Sequence, residues 1–365
     1  MVIIHLANIS NSKYNGVNVV VPQYIINQSK YADVLLLNLN NIKLDSLDEH
    51  QYKSISITDK ITELDFPFSN PDLVIIHGIY DLKVLSYYLI HIKNKLPYIS
   101  IPHGGLTFES QKKSNMKKKI VNLFVFKKYF LNAEVVQFLS NIEKNESLKY
   151  YRKAIVAGNG INVQNNNLYS VKKRDIFKFV YIGRLELNHK GLDMMLEAIN
   201  LNKKFLEENN VTFYLCGIDY NKTYDYLVNY INNNLLDKIV SIDKKGAFGI
   251  DKINKLLDAD FFIQTSRLEG LSLAILEVLS LGIPSLITEG VGMGKIYKEY
   301  DCGIVANNNA ESISKKIEEA CLLPIEVRKD MSKNAFLLSK KFEWDYVTQK
   351  TIKLYSEVIN EIKNK

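Results

Sequence analysis

Apolar residues in the first half of the chain come in short runs, Val2–Leu6, Val34–Leu37, Leu73–Ile76 and Tyr98–Ile101, separated by helical or polar stretches. Strands alternating with helices predict a parallel α/β sheet. The same rhythm returns from Phe177 onward, with strands expected at Phe179–Ile182, Thr212–Cys216, Ile239–Ile242, Phe261–Gln264 and Ser285–Thr288. Between the two series lie Asn159-Gly160-Ile161-Asn162 and then Asn165, Asn166 and Asn167, a polar, turn-rich linker. The pattern predicts two α/β units in tandem, residues 1–165 and 166–343, and a last helix over Trp344–Ile362. A chain of 365 residues is long enough for two such units, each with its own core.

The most informative segment is Arg267-Leu268-Glu269-Gly270-Leu271-Ser272, which leaves the apolar strand Phe261-Phe262-Ile263 and runs through Leu273–Leu281 to include Glu277. Gly270 permits a sharp turn with the backbone close to a ligand, and the apolar stretch after it reads as a buried helix. Free N–H groups at that helix start can hold a diphosphate, and Glu269 and Glu277 can accept hydrogen bonds from sugar hydroxyls. Two acids eight residues apart are, on their own, equally compatible with a surface helix. A second segment changes the balance. Strand residues Tyr181-Ile182 lead into Gly183-Arg184, then His189-Lys190-Gly191, so two cations follow a strand end with a glycine beside each. Arginine offers a rigid fork of donors and lysine a compact charge, a pair suited to the two ends of a diphosphate.

In the first unit, strand Tyr98–Ile101 runs into Pro102-His103-Gly104-Gly105 and places a histidine at a carboxyl strand end, the edge where open parallel sheets bind ligands. Tyr14-Asn15-Gly16-Val17 follows the first strand, and Gly16 could bring backbone N–H groups near a ligand.

In this order, Asn15-Gly16, Pro102-His103-Gly104, Asn159-Gly160-Ile161-Asn162, Gly183-Arg184, Lys190-Gly191 and the Glu269 to Glu277 element resemble the family-four retaining glycosyltransferases, over nearly the whole chain. The resemblance implies a GT-B fold, two Rossmann-like domains facing each other across a donor-binding cleft, with the last helix completing the first domain. It implies that Arg184 and Lys190 hold the donor diphosphate and that Glu269 contacts the donor sugar. Glu277 would bind the ribose, and His103 would lie beside the sugar. Gly16, Gly183, Gly270, Leu271 and Ser272 would line the donor, and the base would lie near Lys245-Gly246-Ala247-Phe248, with UDP favoured over GDP. Many family members carry Gly-Gly where this chain has Asn15-Gly16, which changes the geometry expected of that loop. The implied reaction is a front-face transfer with retention of configuration. No cofactor is expected beyond the nucleotide sugar, and the acceptor is expected to be lipid-linked or a saccharide in cell-surface polysaccharide synthesis. Alternatives are a nucleotide-sugar epimerase or phosphorylase of the same fold, or a non-catalytic, membrane-attached subunit of a glycan-assembly complex.

Composition and charge refine this. Apolar residues at 47% and charged residues at 24% are ordinary for a globular chain and exclude extended disorder. Cys216, Cys302 and Cys321 are widely spaced, without metal-site or disulfide spacing, and fit a reducing cytosol. Two features mimic other chemistry. Asp258-Ala259-Asp260 spells a metal-binding DxD but abuts a strand, and no metal is expected there. Gly290-Val291-Gly292-Met293-Gly294 follows a late strand, a poor place for a dinucleotide fingerprint, and reads as a loop near the donor phosphates.

The net charge of +7 is uneven: residues 1–165 hold 19 Lys and Arg against 13 Asp and Glu, residues 166–365 hold 28 against 27. Lys112, Lys113, Lys117, Lys118, Lys119, Lys127 and Lys128 are interleaved with Ile120, Val121, Leu123, Phe124, Val125 and Phe126. Without a nucleic-acid module, this predicts a basic amphipathic helix on an anionic membrane surface and a cytoplasmic, peripheral location. The competing expectation is that the apolar side packs into the first unit and the lysines face water.

Overall fold

The computed structural model describes every residue except 79, 113–124, 164–168 and 365, and residues 109 and 112 by their backbone alone. The chain forms two compact units, Met1–Gly160 with Trp344–Lys365, and Ile161–Glu343. The division falls between Gly160 and Ile161 and not at 165. Ile161 already belongs to the second unit, where its N–H donates to the Phe342 carbonyl at 2.7 Å.

The first unit holds β1 (Val2–Ala7), β2 (Asp33–Asn38), β3 (Tyr52–Ser54), β4 (Leu73–His77), β5 (Tyr98–Ile101), β6 (Val135–Phe138) and β7 (Ala154–Val156). They form one sheet in the order β3-β2-β1-β4-β5-β6-β7, and every pairing is parallel. The second unit holds β8 (Phe177–Ile182), β9 (Val211–Cys216), β10 (Val240–Asp243), β11 (Phe261–Gln264), β12 (Ser285–Thr288) and β13 (Gly303–Ala306). Their order is β10-β9-β8-β11-β12-β13, again parallel throughout. Each order reverses direction once, between β1 and β4 and between β8 and β11. At such a switch point neighbouring crossovers leave to opposite faces and open a crevice at the carboxyl edge.

Central strands such as Leu73–His77 and Phe261–Gln264 are buried along their whole length, since helices cover both faces of each sheet. Phe179, Leu196, Phe213 and Ile263 belong to the core on one face of the second sheet, and Val180, Phe262, Ile275 and Leu279 to the core on the other. Adjacent residues of β8 and β11 thus point to opposite faces, as the pleat requires.

The last helix, Trp344–Lys363, belongs to the first unit. Trp344 packs with Val20 and Tyr24, its ring edge-on to Tyr24 at 5.4 Å, and Tyr355, Val358 and Ile359 are buried along the same helix. Each such side chain contributes about 1.5–3 kcal/mol on full burial. The exposed pairs Lys153–Glu361 and Lys363–Asp72 contribute ~1 kcal/mol or less each, so apolar contact docks this helix.

Of the basic segment, residues 113–124, with Lys113, Lys117, Lys118 and Lys119, lie outside the described residues, as does the Lys112 side chain. At its described end Lys127 and Lys128 are exposed, whereas Phe126, Tyr129 and Phe130 enter the core of the first unit. No helix among the described residues is long and apolar enough to cross a membrane.

Gly160 gives a direct test of how the last helix docks. A Cβ at this position would lie 2.4 Å from the Trp344 ring and 2.8 Å from its Cα. Backbone and ring cannot both retreat, so Gly160→Ala is expected to cost about 1–3 kcal/mol, the usual range for overpacking. Chemical denaturation should show a lower midpoint, and limited proteolysis should release fragments cut near residue 344 before the parent does.

Candidate functional site

In the second unit the loops after the two switch-point strands converge. Gly183 and Arg184 follow β8 directly, and Thr265 to Ser272 follow β11. Lys190 and Gly191 come between them in space. Thr265 Oγ1 donates to the carbonyls of Lys190 and Gly191 at 3.2 and 3.0 Å, and Arg267 N–H donates to the His189 carbonyl at 2.9 Å. Gly191 has φ +63°, and a Cβ there would lie 2.2 Å from the Thr265 carbonyl oxygen. Only glycine permits this approach. A bidentate pair between Arg267 and Asp193, with N···O distances of 2.8 and 2.7 Å, fastens the outer side of the same loops.

The centre of this arrangement is Glu269. Lys190 Nζ lies 2.5 Å from its Oε1, and both side chains are only 16% exposed. The same oxygen accepts from Ser266 Oγ at 2.8 Å and from Gln264 Nε2 at 3.2 Å, while Ser272 Oγ donates to Gln264 Oε1 at 3.0 Å. Burial pushes the Glu269 pKa up, but Lys190, the Ser266 hydroxyl and Arg184 together leave it below the ordinary carboxylate value. Glu269 is therefore a desolvated carboxylate kept ionised by its partners. Its own N–H donates to the Gly290 carbonyl at 2.8 Å. Gly290 can support the loop because a Cβ would lie 2.3 Å from the carbonyl oxygens of Ser266 and Arg267.

Ser272 is the N-cap of the helix Leu273–Leu281, its side chain accepting from Ile275 N–H. The first N–H groups of this helix, like those of any helix, have no acceptor within it. Glu277 projects from the second turn and pairs with Lys252 of the helix Gly249–Leu257. That helix begins directly after Ala247, which is buried, and Phe248, which is half-buried. Arg184 is exposed, lies over the Tyr220 ring at 5.1 Å and pairs with Glu186 at 3.2 Å. Gly183 and Gly217 lie back to back: a Cβ on Gly217 would lie 1.6 Å from the Gly183 carbonyl oxygen.

Arg184, Lys190, Glu269, Gly270, Leu271 and Ser272 thus occupy one carboxyl edge of the second sheet, and Ala247, Phe248 and Glu277 form an adjoining group. Gln264, Ser266, Asp193 and Lys252 were not anticipated. For Gln264 a signal existed, a single polar residue ending the apolar strand Phe-Phe-Ile-Gln. Asp258 pairs with Arg174 and Lys178, and Asp260 is buried against Arg328 at 3.1 Å. The Asp-Ala-Asp motif is thus spent on anchoring β8 and β11, where both carboxylates have cations already.

In the first unit Asn15 caps the helix Gly16–Gln28, its side chain accepting from Val17 N–H at 3.0 Å, so Gly16 is the first helical residue and exposed. His103 stands just beyond β5 with φ +49°, followed by Gly104 with φ +80°. The buried Glu143 carboxylate holds this turn, accepting from Gly104 N–H at 2.6 Å and from Leu139 N–H at 2.7 Å. His103 Nε2 lies 3.0 Å from His77 Nδ1, and His77 Nε2 lies 2.7 Å from His5 Nδ1. Burial lowers the pKa of His103 and of His5 to about 4, and that of His77 well below the usual value, so all three are neutral at pH 7.

Residues 163–337 match the model of the family described as glycosyl transferases group 1. An uncharacterised glycosyltransferase of Methanocaldococcus jannaschii is 28% identical over 272 residues, covering 73% of this chain and 71% of that one. Among solved structures the chain is similar to sucrose-phosphate synthase from Thermosynechococcus elongatus, with a TM-score of 0.74 at 13% identity over 99% of this chain and 100% of that chain. It is also similar to HepE of Anabaena in complex with UDP and glucose, with a TM-score of 0.73 at 16% identity over 98% and 100%. The shared architecture is GT-B, two Rossmann-like units in one chain.

The Lys190–Glu269 pair separates stability from chemistry. Lys190→Ala leaves a desolvated carboxylate with only neutral donors, which should cost about 1–3 kcal/mol. In Lys190→Ala with Glu269→Gln the buried charge is gone, so the thermal midpoint should recover most of that loss. Turnover of a nucleotide sugar should fall about 10²-fold or more in the single variant and stay low in the double. Recovery of turnover together with stability would make the pair purely structural.

Proposed function

Residues 163–337 make this chain a member of the glycosyl transferases of group 1, and from that premise we propose how it works. It moves a sugar from a UDP-linked donor to a lipid-linked or saccharide acceptor of a cell-surface polysaccharide, retaining the anomeric configuration and using no metal. The observation that carries this reading is the ionised, desolvated Glu269 beside Lys190, at the start of a helix that also carries Glu277.

A nucleoside diphosphate at this edge would place its phosphates against the N–H groups at Gly270 to Ser272, with Arg184 and Lys190 as counter-charges. As the bond to phosphate breaks, negative charge grows on the leaving oxygen. Donors already fixed in place stabilise it without reorganisation, which is the main source of acceleration in such a step. Glu269 would orient the sugar hydroxyls, and the leaving phosphate would take the acceptor's proton. The pairing of Asp258 and Asp260 with arginine and lysine supports a reaction in which cationic side chains do the work of a metal. Glu277, near the group Ala247 and Phe248, would hold the ribose once its hydroxyls compete for the carboxylate that Lys252 now engages. The HepE structure, solved with UDP and glucose, is the likeness that favours UDP.

Glu269 and Glu277 should fail differently when changed. Glu269→Gln should mainly lower kcat with nucleotide sugar and leave the affinity for bare UDP nearly unchanged, because no sugar is present to contact. Glu277→Gln should weaken UDP itself by about tenfold, the loss of one charge-assisted hydrogen bond, and raise the donor KM. Calorimetry with UDP showing the reverse would exchange the two roles, and no effect from either variant would remove the donor site from this edge.

The lysine-rich segment from Lys112 to Lys128 is proposed to hold the protein at an anionic, cytoplasmic membrane face. Attraction of ~1 kcal/mol per basic residue near such a surface is enough for reversible binding. Replacing Lys117, Lys118 and Lys119 by Glu should lower co-sedimentation with phosphatidylserine vesicles, and in the parent that binding should weaken with salt. Turnover of a short soluble acceptor should be unaffected. Sedimentation equal to the parent's would exclude the segment as the anchor.

A further inference from the structure

His5, His77 and His103 form a continuous hydrogen-bonded row across three neighbouring strands of the first sheet. His5 lies in β1 and pairs in register with Ile75, His77 ends β4 and pairs with Ile101, and His103 follows β5. Two of the three rings are fully buried and His103 is half-buried. They overlap face to face, His5 on His77 at 5.0 Å and His77 on His103 at 5.3 Å between centroids. Three imidazoles at the core of a sheet are poor packing material, and aliphatic residues would fill the same space without polar atoms to satisfy. Their value is in the hydrogen bonds.

A row of neutral imidazoles has a direction. Each ring carries one proton, so each donates on one side and accepts on the other, and fixing one end fixes all. The fixed end lies deep in the unit, at the Ala157 carbonyl, which can only accept. Gln137 Nε2 donates to it at 3.0 Å, leaving Gln137 Oε1 to accept the Tyr355 hydroxyl proton at 2.7 Å. The Tyr355 oxygen, its proton committed, presents lone pairs to the Gln28 amide. That contact is favourable, although Gln28 Nε2 falls short of a full hydrogen bond. The opposite orientation of Gln28 would set two oxygens against each other. Gln28 Oε1 then faces His5 Nε2 at 3.0 Å and must accept from it. From there the order is forced: His5 Nδ1 accepts from His77 Nε2, His77 Nδ1 accepts from His103 Nε2, and His103 is left with a bare lone pair on Nδ1. Among the described residues that nitrogen makes no hydrogen bond.

We propose that His5 and His77 are positioning residues that hold His103 in its Nε2–H tautomer, making Nδ1 a neutral acceptor that selects a sugar hydroxyl and rejects a sugar carboxylate. This rests on the glycosyl-transfer reading above for the identity of the ligand, but the tautomer does not. A hydroxyl can donate to the lone pair, whereas a hexuronate presents only acceptors to it at neutral pH. The donor class is therefore a nucleoside-diphosphate neutral hexose. Burial, which keeps all three rings uncharged, prevents His103 from offering a second proton to a carboxylate.

The experiment is long-range ¹H–¹⁵N correlation on the full chain labelled at histidine, with His103 assigned by its loss in His103→Gln. The expected result is one His103 tautomer, Nε2 protonated and Nδ1 bare, with no ligand present. A protonated Nδ1 would overturn the relay. In His77→Phe the row is cut, and His103 should populate both tautomers. His77→Gln keeps an acceptor towards His103 and a donor towards His5, and should restore the single form. It also covers the case in which the phenylalanine variant fails to fold. Calorimetry with UDP-glucose, UDP-glucuronate and UDP then reads the consequence. The parent should prefer glucose over glucuronate, and His77→Phe should weaken UDP-glucose about 3- to 10-fold, leave UDP unchanged and narrow that preference. The expected tautomer with an unaltered sugar preference in His77→Phe would overturn the selective role. A parent that binds no UDP-sugar at all would instead overturn the glycosyl-transfer reading, with the tautomer result intact.

Discussion

A carboxylate taken out of water needs cations and donors around it, and in the second unit most of the carboxyl edge is arranged to supply them to Glu269. Lys190 reaches it from the loop after β8, while Gln264 and Ser266 reach it from its own loop. Each partner is itself held. Gln264 is oriented by Ser272, and the Lys190–Gly191 backbone by Thr265. The Glu269 backbone leans on Gly290. The glycines at 191 and 290 follow from the same demand, since any side chain there would push the loops apart and leave the charge uncompensated. The strands determine where these loops meet, and electrostatics determines what they must carry.

The two units solve the problem of polar groups at a sheet edge in opposite ways. The second gathers formal charges, Arg184, Lys190, Glu269 and Glu277, each with a counter-charge within reach. The first uses neutral groups, with His103 stationed on a left-handed turn that the buried Glu143 fastens through Gly104 and Leu139. Burial raises the Glu143 pKa while those two N–H donors lower it, so this acid serves as a hydrogen-bond clasp for a turn, with no cation beside it. A charged edge suits a leaving group that gains charge. A neutral one suits the reading of hydroxyls, where a fixed proton position discriminates better than a net charge.

How much of this was legible depends on the range of the cause. The central strands were readable because β1, β4, β5, β8, β11 and β12 are short apolar runs that burial alone requires. β3, β6, β7 and β13 were missed. Tyr52–Ser54 and Ala154–Val156 are three residues long at sheet edges, where only half the burial applies and the apolar signal thins. The site residues beside glycines were visible, because a glycine at 183, 191 or 270 is a local mark of close backbone approach. Partners from distant segments were not: Lys252 meets Glu277, and Asp193 meets Arg267, through tertiary placement that no spacing records. His5 and His77 look like ordinary members of strands until the register of β1, β4 and β5 lines them up.

The Asp258-Ala259-Asp260 segment shows the same logic from the other side. As a motif it suggests a cation, and it does bind cations, but they are the side chains of Arg174, Lys178 and Arg328. Asp260 is nearly as buried as Glu269 and also has a positive partner, yet its pKa lies above the ordinary value where that of Glu269 lies below it. The difference lies in what else each oxygen receives. Glu269 takes a full cation at 2.5 Å and two neutral donors on one oxygen, whereas Asp260 takes a backbone N–H at 3.0 Å and an arginine at 3.1 Å. Shorter contacts and more donors outweigh desolvation at one acid and not at the other. Two buried acids of the same sheet thus part by geometry alone, one sealing the amino edge of β11 and one held ionised at its carboxyl edge, where a ligand can reach it.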